Sequence, residues 1–443
     1  MLKVKFLDSN SPSDVAVSSA RTCYSGKGLV TPEESSEWKR KPDLLLSIFK
    51  SGHHTTLQHT HITMTIEGIS RHLIWRLLHS HSHYNSEQIS QRYAKMRLEN
   101  MRVPKGADKS EWNEFYNSVF ADYEKLIELL KEPIENVLPK FKKGEAGKKA
   151  QELARYVLPQ GTEAYMYHTV NIITILRYIA TAKALPEAKE EGLNFANQLA
   201  ENLLKVDPQL KPLIDFAKEH KVEFPTIDIE KYSDKGLVFD VVGDLPKIDN
   251  SYSGILRTSQ TFFDESMLGG FSSKIKLSLS ADSQNQRHRR SLGVRPPLQK
   301  IYKKEFYTPE IIEKNSEVLK LYRESLERVY SFFEDQVQKI GFSEAVYALP
   351  NAHLIEILER NDFSSFQHKS QMRLCYNAQQ EIYDITYKQV QELAKVKESA
   401  DEVFLPPCSI RSRDKIYPIC PEGVRFCGVK VWKLNFSEFH RDI

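Results

Sequence analysis

Two segments of the sequence, 191 positions apart, repeat one pattern and constrain the fold more than any other feature. Both end in Leu-Pro, as Glu152-Leu-Ala-Arg-Tyr-Val-Leu-Pro159 and as Glu344-Ala-Val-Tyr-Ala-Leu-Pro350. Each is followed by a stretch of similar length, 163–182 and 354–373, for which we predict a helix. Self-similarity at a fixed distance is the signature of a repeated structural unit, so we expect two copies of one unit.

The segments upstream of the two Leu-Pro blocks also correspond. His61–Ile66 and Lys274–Ser280 alternate between apolar and polar side chains, which predicts half-buried strands. Basic, helix-compatible stretches, 70–81 and 283–291, follow them, and turn-forming residues cluster near 225–250. Helical periodicity dominates four further stretches: 111–140, 185–206, 308–340 and 376–397. We therefore predict a first copy over 1–225, a linker over 226–250 and a second copy over 251–443.

The composition excludes several classes of protein. The 443 residues carry a net charge of only +3, which argues against a bulk electrostatic grip on nucleic acid or an anionic membrane. No apolar run approaches the ~20 residues of a spanning helix, and Met1–Leu7 is predicted to be a first strand rather than a signal peptide. Five cysteines do not make a disulfide framework. We expect a soluble, cytoplasmic protein that binds neither nucleic acid nor membrane.

The first chemistry-bearing motif is Gln284-Asn-Gln-Arg287-His288-Arg289. It places two guanidinium forks around a titratable ring, and such forks match phosphate oxygens bidentately. On a helix, Gln284 and Arg287 face the same side. Taken alone, the motif is also compatible with a solvated basic surface at a helix end.

The second motif is Glu87-Gln-Ile-Ser90-Gln-Arg92-Tyr93. It supplies a carboxylate, a hydroxyl and a guanidinium within six residues, a set that can recognise a phosphate and a sugar hydroxyl from one loop. Taken alone, it is also compatible with an ordinary polar turn.

Together the two motifs resemble the signature of the flavin-dependent thymidylate synthases of the X class, a Gln-x-x-Arg-His-Arg stretch followed closely by Asn/Ser-Glu-x-Ser-x-Arg-Tyr. Three further segments are similar to blocks of that family: Gly52-His-His-Thr55-Thr-Leu-Gln58-His59, in which Gln58 replaces a Glu, Glu152–Pro159, and Met372–Ile382. The resemblance covers nearly the whole chain, twice over. It implies an α+β fold in which each copy has an antiparallel-type sheet with packed helices and the two copies form a pseudo-dimer.

Each copy lacks signature residues that the other retains. The first copy has His79-Ser80-His81 in place of Arg-His-Arg, and Arg76 stands at its Gln position. The second copy has Gly293-Val-Arg-Pro-Pro-Leu298 in place of the Glu/Ser/Arg loop. The other two arginines divide in the same way, since Arg373 aligns with Ala182 and Arg155 aligns with Val346.

In the family, active sites lie between subunits of a homotetramer. We therefore hypothesise one composite site per chain, with the reciprocal site dead. The second copy would supply Gln284, Arg287 and Arg373, and the first copy Glu87, Ser90, Arg92 and Arg155. We also expect a homodimer of two-copy chains that mimics the tetramer.

The resemblance implies that this site methylates dUMP to dTMP, with FAD as cofactor and with NADPH and methylenetetrahydrofolate as co-substrates. Arg373 is the catalytic candidate, because a cation beside the uracil favours its ionised form. The residues expected to hold dUMP are Gln284, Arg287, Glu87, Ser90, Arg92 and Arg155. The residues expected to contact the flavin are Thr55, Glu87, Asn171, Arg287, His288, Arg289 and His368.

The flavin contacts are the least complete part of the resemblance. After the Leu-Pro block the family has an Asn-x-Arg and, four residues later, an Asn or His. Here the first copy offers only Asn171 and the second only His368. No Gly-x-Gly-x-x-Gly run is present, so a Rossmann-type dinucleotide domain is not expected.

Two clusters have metal-ligating residue types. His79-x-His81-x-His83 occupies the position of the family's arginines, and we interpret it as a relaxed former site. The tail holds Cys408, Cys420 and Cys427 without the short Cys-x-x-Cys knuckle that is typical of structural zinc sites. We interpret the tail as an ordered cap and assign no metal ligands, and whether the tail cysteines bind zinc stays open.

Two other functions fit the same residues. A non-catalytic paralogue that binds a pyrimidine nucleotide or flavin would explain the missing Arg-His-Arg, the incomplete flavin contacts, and the extra residue between Glu87 and Ser90. A related flavin enzyme acting on another pyrimidine nucleotide would explain that insertion.

Overall fold

The structure, a computed structural model, describes residues 1–7, 11–80, 83–138, 144–224, 226–246 and 265–441. Within these ranges the strands are β1 (Lys3–Phe6), β2 (His61–Ser70), β3 (Tyr84–Gln88), β4 (Glu163–Asn171), β5 (Phe239–Val242), β6 (Gly270–Ser278), β7 (Leu292–Val294) and β8 (Leu354–Asp362). They form two antiparallel sheets with the same topology, β1-β2-β4-β3 and β5-β6-β8-β7. The predicted α+β architecture with two tandem copies is confirmed.

Helices pack around both sheets. In the first copy they are α1 (Pro12–Cys23), α2 (Pro32–Ser36), α3 (Lys41–Lys50), α4 (Arg71–Leu73), α5 (Lys109–Val137), α6 (Ala146–Ala154), α7 (Ile172–Thr181), α8 (Lys189–Val206) and α9 (Lys211–Glu219). In the second copy they are α10 (Leu279–Asn285), α11 (Leu298–Ile301), α12 (Glu310–Glu313), α13 (Ser316–Ile340), α14 (Phe342–Ala345), α15 (Phe363–Arg373), α16 (Gln380–Ala394), α17 (Ala400–Val403) and α18 (Pro407–Arg413). In the described ranges, no helix is long and apolar enough to cross a membrane.

The stretches after the Leu-Pro blocks begin as strands, so the prediction of a helix over 163–182 and 354–373 is wrong in its first half. β4 and β8 take up nine residues each before α7 and α15 begin. In β4 the buried Ala164, Met166 and Val170 alternate with less buried neighbours, which is the period of a strand. The apolar helix α7 that follows β4 masks this short alternation in the sequence.

The predicted linker over 226–250 also contains structure. β5 lies within it and pairs antiparallel with β6, with Phe239 opposite Ser272 and Val242 opposite Gly270. The second sheet therefore begins before residue 251. The turn formers at 225 and 249–254 lie outside the described residues.

The two Leu-Pro blocks meet and join the copies. The Gln160 N–H donates to the Leu349 carbonyl at 2.8 Å, and the Asn351 N–H donates to the Leu158 carbonyl at 2.8 Å. The side chains pair as well, because Gln160 Nε2 donates to Asn351 Oδ1 at 2.8 Å. These reciprocal bonds relate the copies by an approximate two-fold axis.

Three apolar cores hold the fold. One lies within the first copy, one lies between the second sheet, α15, α16 and the tail, and the third is shared. In the shared core α5 packs against α13, where the buried Trp112 donates to Gln336 Oε1 at 2.8 Å. A shared core fixes the copies relative to each other, and any site between them is held rigidly.

Candidate active site

A hydrogen-bonded triad positions the start of α10, the helix that carries the first motif. Ser278 is its N-cap, because its Oγ accepts from the Ala281 N–H at 3.0 Å. Ser278 in turn donates to the buried Glu381 at 2.6 Å, and Tyr156 of the first copy donates to the same carboxylate at 2.7 Å. The helix therefore starts at a point fixed by both copies.

α10 ends at Asn285, so the Arg-His-Arg residues follow the helix instead of continuing it. The expectation that Gln284 and Arg287 share one helical face is wrong, since a turn separates them, closed by the Arg287 N–H donating to the Gln284 carbonyl at 3.3 Å. This turn directs Arg287 and Arg289 towards the first copy.

The two exposed arginines contact strand β3 of the first copy. Arg287 Nη2 donates to the Ser86 carbonyl at 3.2 Å and to Glu87 Oε1 at 3.1 Å. Arg289 Nη1 donates to Asn85 Oδ1 at 3.1 Å. Residues of the two signature motifs, about 200 positions apart in sequence, thus come into contact, as the composite arrangement requires.

The remaining motif residues meet around Gln379, which lies in the family-like block Met372–Ile382 but to which the sequence assigns no role. Gln379 Oε1 accepts from Arg155 Nη2 at 2.5 Å and also from the Gln284 amide. Gln379 Nε2 donates to the Tyr156 hydroxyl, and Arg373 Nη2 donates to the Gln284 carbonyl at 2.7 Å. Arg155 of the first copy and Arg373 of the second copy are therefore linked through two glutamines.

Neither of these arginines has a carboxylate hydrogen-bond partner among the described residues. The Nε atoms of Arg155 and Arg373 are buried there without any hydrogen-bond partner. Burial, reinforced by the nearby charges of Arg92 and Arg287, lowers the pKa of Arg373 to about 10. Buried and crowded cations of this kind are stabilised by an anion, so the cluster is suited to an anionic ligand.

Arg92 is oriented by its own neighbours. It forms an ion pair with the buried Glu152 and donates from Nη2 to the Asn377 carbonyl at 2.7 Å. The backbone N–H of Arg92 donates to Ser90 Oγ at 3.3 Å. Burial alone would raise the pKa of Glu152, but the charges of Lys149 and Arg92 outweigh it and lower that pKa to about 2. Glu152 is therefore ionised at neutral pH and holds Arg92 in place.

His288 is buried beside His368, with ring centroids 5.8 Å apart. In the described part of the chain, its Nε2 is buried without a hydrogen-bond partner. Burial and the charges of Arg373 and Lys369 hold the pKa of His288 well below its usual range. The ring is neutral at pH 7 and retains an unused polar atom.

No hydrogen bond or ion pair within the described ranges joins Thr55 or Asn171 to this cluster. Thr55 is exposed on the 3-10 turn His54–Gln58 of the first copy. Asn171 is the N-cap of α7, and its Oδ1 accepts from the N–H and hydroxyl of Thr174 at 2.9 and 2.8 Å. A role of these two residues in flavin binding stays a prediction.

The reciprocal half is the region in which Arg76 and His79 of the first copy lie beside Arg295 of the second copy. Its charges are arranged differently. Arg76 forms a buried ion pair with Glu187 at 2.7 Å and donates to the carbonyls of Arg295 and Pro296 at 3.0 and 3.1 Å. Arg295 itself pairs with Asp282 at 2.6 Å. The cations here are neutralised by carboxylates of the chain.

The histidine that replaces an arginine in the reciprocal half is packed, not solvated. The His79 ring is buried and stacks on Tyr84 with centroids 4.9 Å apart. Burial and the neighbouring His168 and Arg287 hold the pKa of His79 well below its usual range. His81 lies outside the described residues. Ala182 and Val346, the counterparts of the two site arginines, are buried apolar side chains.

The sequence matches a family of known proteins. The family model described as thymidylate synthase complementing protein (Thy1) matches residues 5–209 and 269–397. The flavin-dependent thymidylate synthase of Clostridium tetani is 29% identical over 218 residues, which span 47% of this chain and 85% of that protein. That of Thermosipho africanus is 28% identical over 189 residues, spanning 41% and 78%.

Two solved structures are similar to this chain at low identity. The UMP/dUMP methylase PolB of Streptomyces cacaoi is 17% identical, covers 48% of this chain and 95% of its own, and has a TM-score of 0.37. Thymidylate synthase X of Helicobacter pylori, solved with FAD and dUMP, is 16% identical, covers 50% and 100%, and has a TM-score of 0.34. Because the family model matches two segments that together exceed half of the chain, and because two sheets share one topology, the chain belongs to the thymidylate synthase complementing protein family and contains two tandem copies of its fold.

Proposed function

We propose that this chain converts dUMP to dTMP at one composite site built from both copies, using methylenetetrahydrofolate, FAD and NADPH. One observation carries the proposal: Arg155 and Arg373, from different copies, are brought together with buried guanidinium nitrogens that lack partners in the described part of the chain. A nucleotide supplies the missing acceptors, whereas the reciprocal half already has carboxylates on its arginines.

Each arginine of the composite site has its own task in this proposal. Arg287, Arg92 and Arg155 hold the phosphate, since guanidinium forks match its oxygens. Ser90 and Gln284 orient the sugar and base. Arg373 lies against the uracil, where its charge stabilises negative charge that develops on the ring.

The residues that the family resemblance assigns to the flavin fit such a ligand on the side of the second copy. A cavity of about 590 Å³ that borders Arg289 lies in the reciprocal half, because Arg76, His79 and Arg295 also line it, and it does not support this assignment. The unused Nε2 of His288 and the ring of His368 lie beside the cluster that contains Arg373. Bound FAD supplies the redox chemistry, and Arg289, His288 and His368 would hold and orient it.

Release of tritium from dUMP labelled at carbon 5 tests the proposal, with FAD, NADPH and methylenetetrahydrofolate present. We expect tritium release together with dTMP from the wild-type chain. Arg287→Ala removes an exposed charge-assisted contact and is expected to weaken dUMP binding by about 10- to 100-fold. Arg97→Ala, which removes an exposed arginine paired with Glu99, is the matched control and leaves binding unchanged.

The extra residue between Glu87 and Ser90 favours a second candidate, the same reaction on another pyrimidine nucleotide. UMP is therefore tested in the same assay. Tritium release from labelled UMP but not from labelled dUMP would show that UMP is the substrate. No release from either nucleotide, with folded and flavin-supplied protein, would favour a non-catalytic paralogue that binds a nucleotide or flavin.

The proposal includes a homodimer of two-copy chains. Tyr165 and Tyr167 are 56% and 58% exposed on the outer face of β4, and an aromatic face of this kind suits a protein contact. Light scattering on the purified chain is expected to give twice the mass of one chain. A clean monomer would contradict the dimer.

A further inference from the structure

Four of the five cysteines line one small cavity in the second copy. Cys375 follows α15, Cys408 lies in α18, and Cys420 and Cys427 lie in the tail. All four are free and partly buried, whereas the fifth, Cys23, is exposed in the first copy. Their shared cavity measures about 20 Å³. That volume accommodates roughly one water-sized particle, so the space suits a single ion.

The chemistry of this wall is that of a soft-metal site. Beside the four sulfurs, the lining is largely apolar, with Pro406, Pro407, Phe426, Val429 and Val431. Four thiolates around one point are the donor set that Zn²⁺ takes in structural sites, with tetrahedral geometry.

Burial raises the pKa of Cys375, Cys408 and Cys427 and keeps these thiols protonated as long as they have no cation beside them. It raises the pKa of Cys375 to about 11, and burial together with the other cysteines raises the pKa of Cys408 to about 12. A bound divalent cation reverses this effect, because coordination deprotonates a thiol. Metal binding is therefore coupled to loss of protons and to folding of the tail.

The sequence does not show that Cys375 belongs with the three tail cysteines. Cys408, Cys420 and Cys427 lie close together in the tail, but Cys375 is 33 positions upstream of the first of them, next to a site arginine. Only the fold brings it to the other three. The missing Cys-x-x-Cys knuckle is thus replaced by ligands from separate segments.

We propose that Cys375, Cys408, Cys420 and Cys427 bind one Zn²⁺ ion as a structural tetrathiolate site. In the ranges that the structure describes, no three His, Cys, Asp or Glu side chains are already arranged as a metal site. The proposal therefore requires the four side chains to rotate into the cavity that they line. It is independent of the reaction proposed above.

The site has a consequence for the composite cluster. Asn377, two residues after Cys375, donates from Nδ2 to the Arg425 carbonyl of the tail at 2.7 Å. The Asn377 carbonyl accepts from Arg92 Nη2 at 2.7 Å. A metal that ties the tail to Cys375 therefore holds the carbonyl that orients Arg92, and it acts as a positioning element.

Metal analysis of the untagged full-length chain, produced in zinc-supplemented medium, tests the proposal. We expect about one zinc ion per chain, released as a mercurial reagent titrates the four cavity thiols in addition to the exposed Cys23. Replacement by Co²⁺ is expected to give the charge-transfer and d–d absorption of a tetrahedral tetrathiolate. Cys408→Ser should lose the zinc, and Cys23→Ser, which removes the exposed thiol, should retain it.

Three results would overturn the site. The first is wild-type protein without stoichiometric zinc and without a Co²⁺–thiolate spectrum. The second is equal zinc loss in both serine variants. The third is a disulfide between any two of the four cysteines in protein isolated without oxygen. Because the mercurial titration and the Co²⁺ spectrum use the wild-type chain, misfolding of Cys408→Ser does not leave the question open.

Discussion

The composite half and the reciprocal half share a scaffold but differ in how their arginines are neutralised. In the composite half, Arg155 and Arg373 have only neutral hydrogen-bond acceptors among the described residues. In the reciprocal half, Arg76 is paired with the buried Glu187. The same fold therefore holds two buried arginines without a carboxylate hydrogen-bond partner in one half and a buried arginine–carboxylate pair in the other.

The two halves share a hydrogen-bonded triad at the start of α4 and of α10. Ser70 donates to Glu191 at 2.5 Å, and Tyr347 of the other copy donates to Glu191 at 2.9 Å. The matching triad consists of Ser278, Glu381 and Tyr156. Retention of both triads beside two different clusters shows that the junction of the copies and the chemistry of the sites vary independently.

The largest expected effect tests whether the arginine of α15 acts only in the composite half. Arg373→Gln is expected to lower tritium release from labelled dUMP by about 100- to 1000-fold, as for loss of a charge-stabilising donor. Arg177→Gln changes an exposed arginine of α7, the corresponding helix of the first copy, and should leave the rate unchanged. Equal losses of tritium release in both variants would contradict the hypothesis that only the composite half is active.

The second prediction concerns stability in the reciprocal half. Glu187→Gln leaves the buried Arg76 without its charge partner and is expected to lower the free energy of unfolding by about 3 kcal/mol in urea titrations. Binding of dUMP by the folded variant should not change. Glu190→Gln, which affects an exposed pair with Lys105, serves as control, with an expected change below about 0.5 kcal/mol.

The third prediction is a pH dependence from Glu152. Its pKa falls from 4.5 to about 2 on folding, so the carboxylate stabilises the fold above pH 4.5 and this stability is lost as the pH falls towards 2. We expect the loss to be about 3 kcal/mol. Glu152→Gln should show a shallower fall of unfolding free energy between these pH values. Parallel curves for the variant and the wild type would contradict the prediction.

The smallest effect is expected at the exposed edge of the composite half. Glu87 is largely exposed and pairs with Arg287 at 3.1 Å. Glu87→Gln is expected to change the free energy of unfolding by less than about 0.5 kcal/mol, because solvent screens such a pair. A loss above about 1 kcal/mol would mean that this contact helps to hold the copies together.

The sequence predicts which halves contribute to the composite site, because complementary losses between two copies can be read by alignment. For that reason it predicts that Arg287 and Glu87 belong to one site, and in the structure the two side chains are in contact. It does not predict Gln379 as the common partner of two arginines, nor Glu187 as the neutralising carboxylate, nor Cys375 as a fourth thiol. These depend on the path of the backbone between distant segments, which no local pattern records.

The junction at Gln160 and Asn351 has a further consequence. In an ordinary homodimer, both residues at the axis would be identical, and every substitution there would occur twice. Here an amide donor faces a different acceptor across the axis, so a change on one side can be matched on the other by a separate mutation. Fusion into one chain thus removes the requirement of symmetry. Each copy can therefore lose signature residues that the other copy retains.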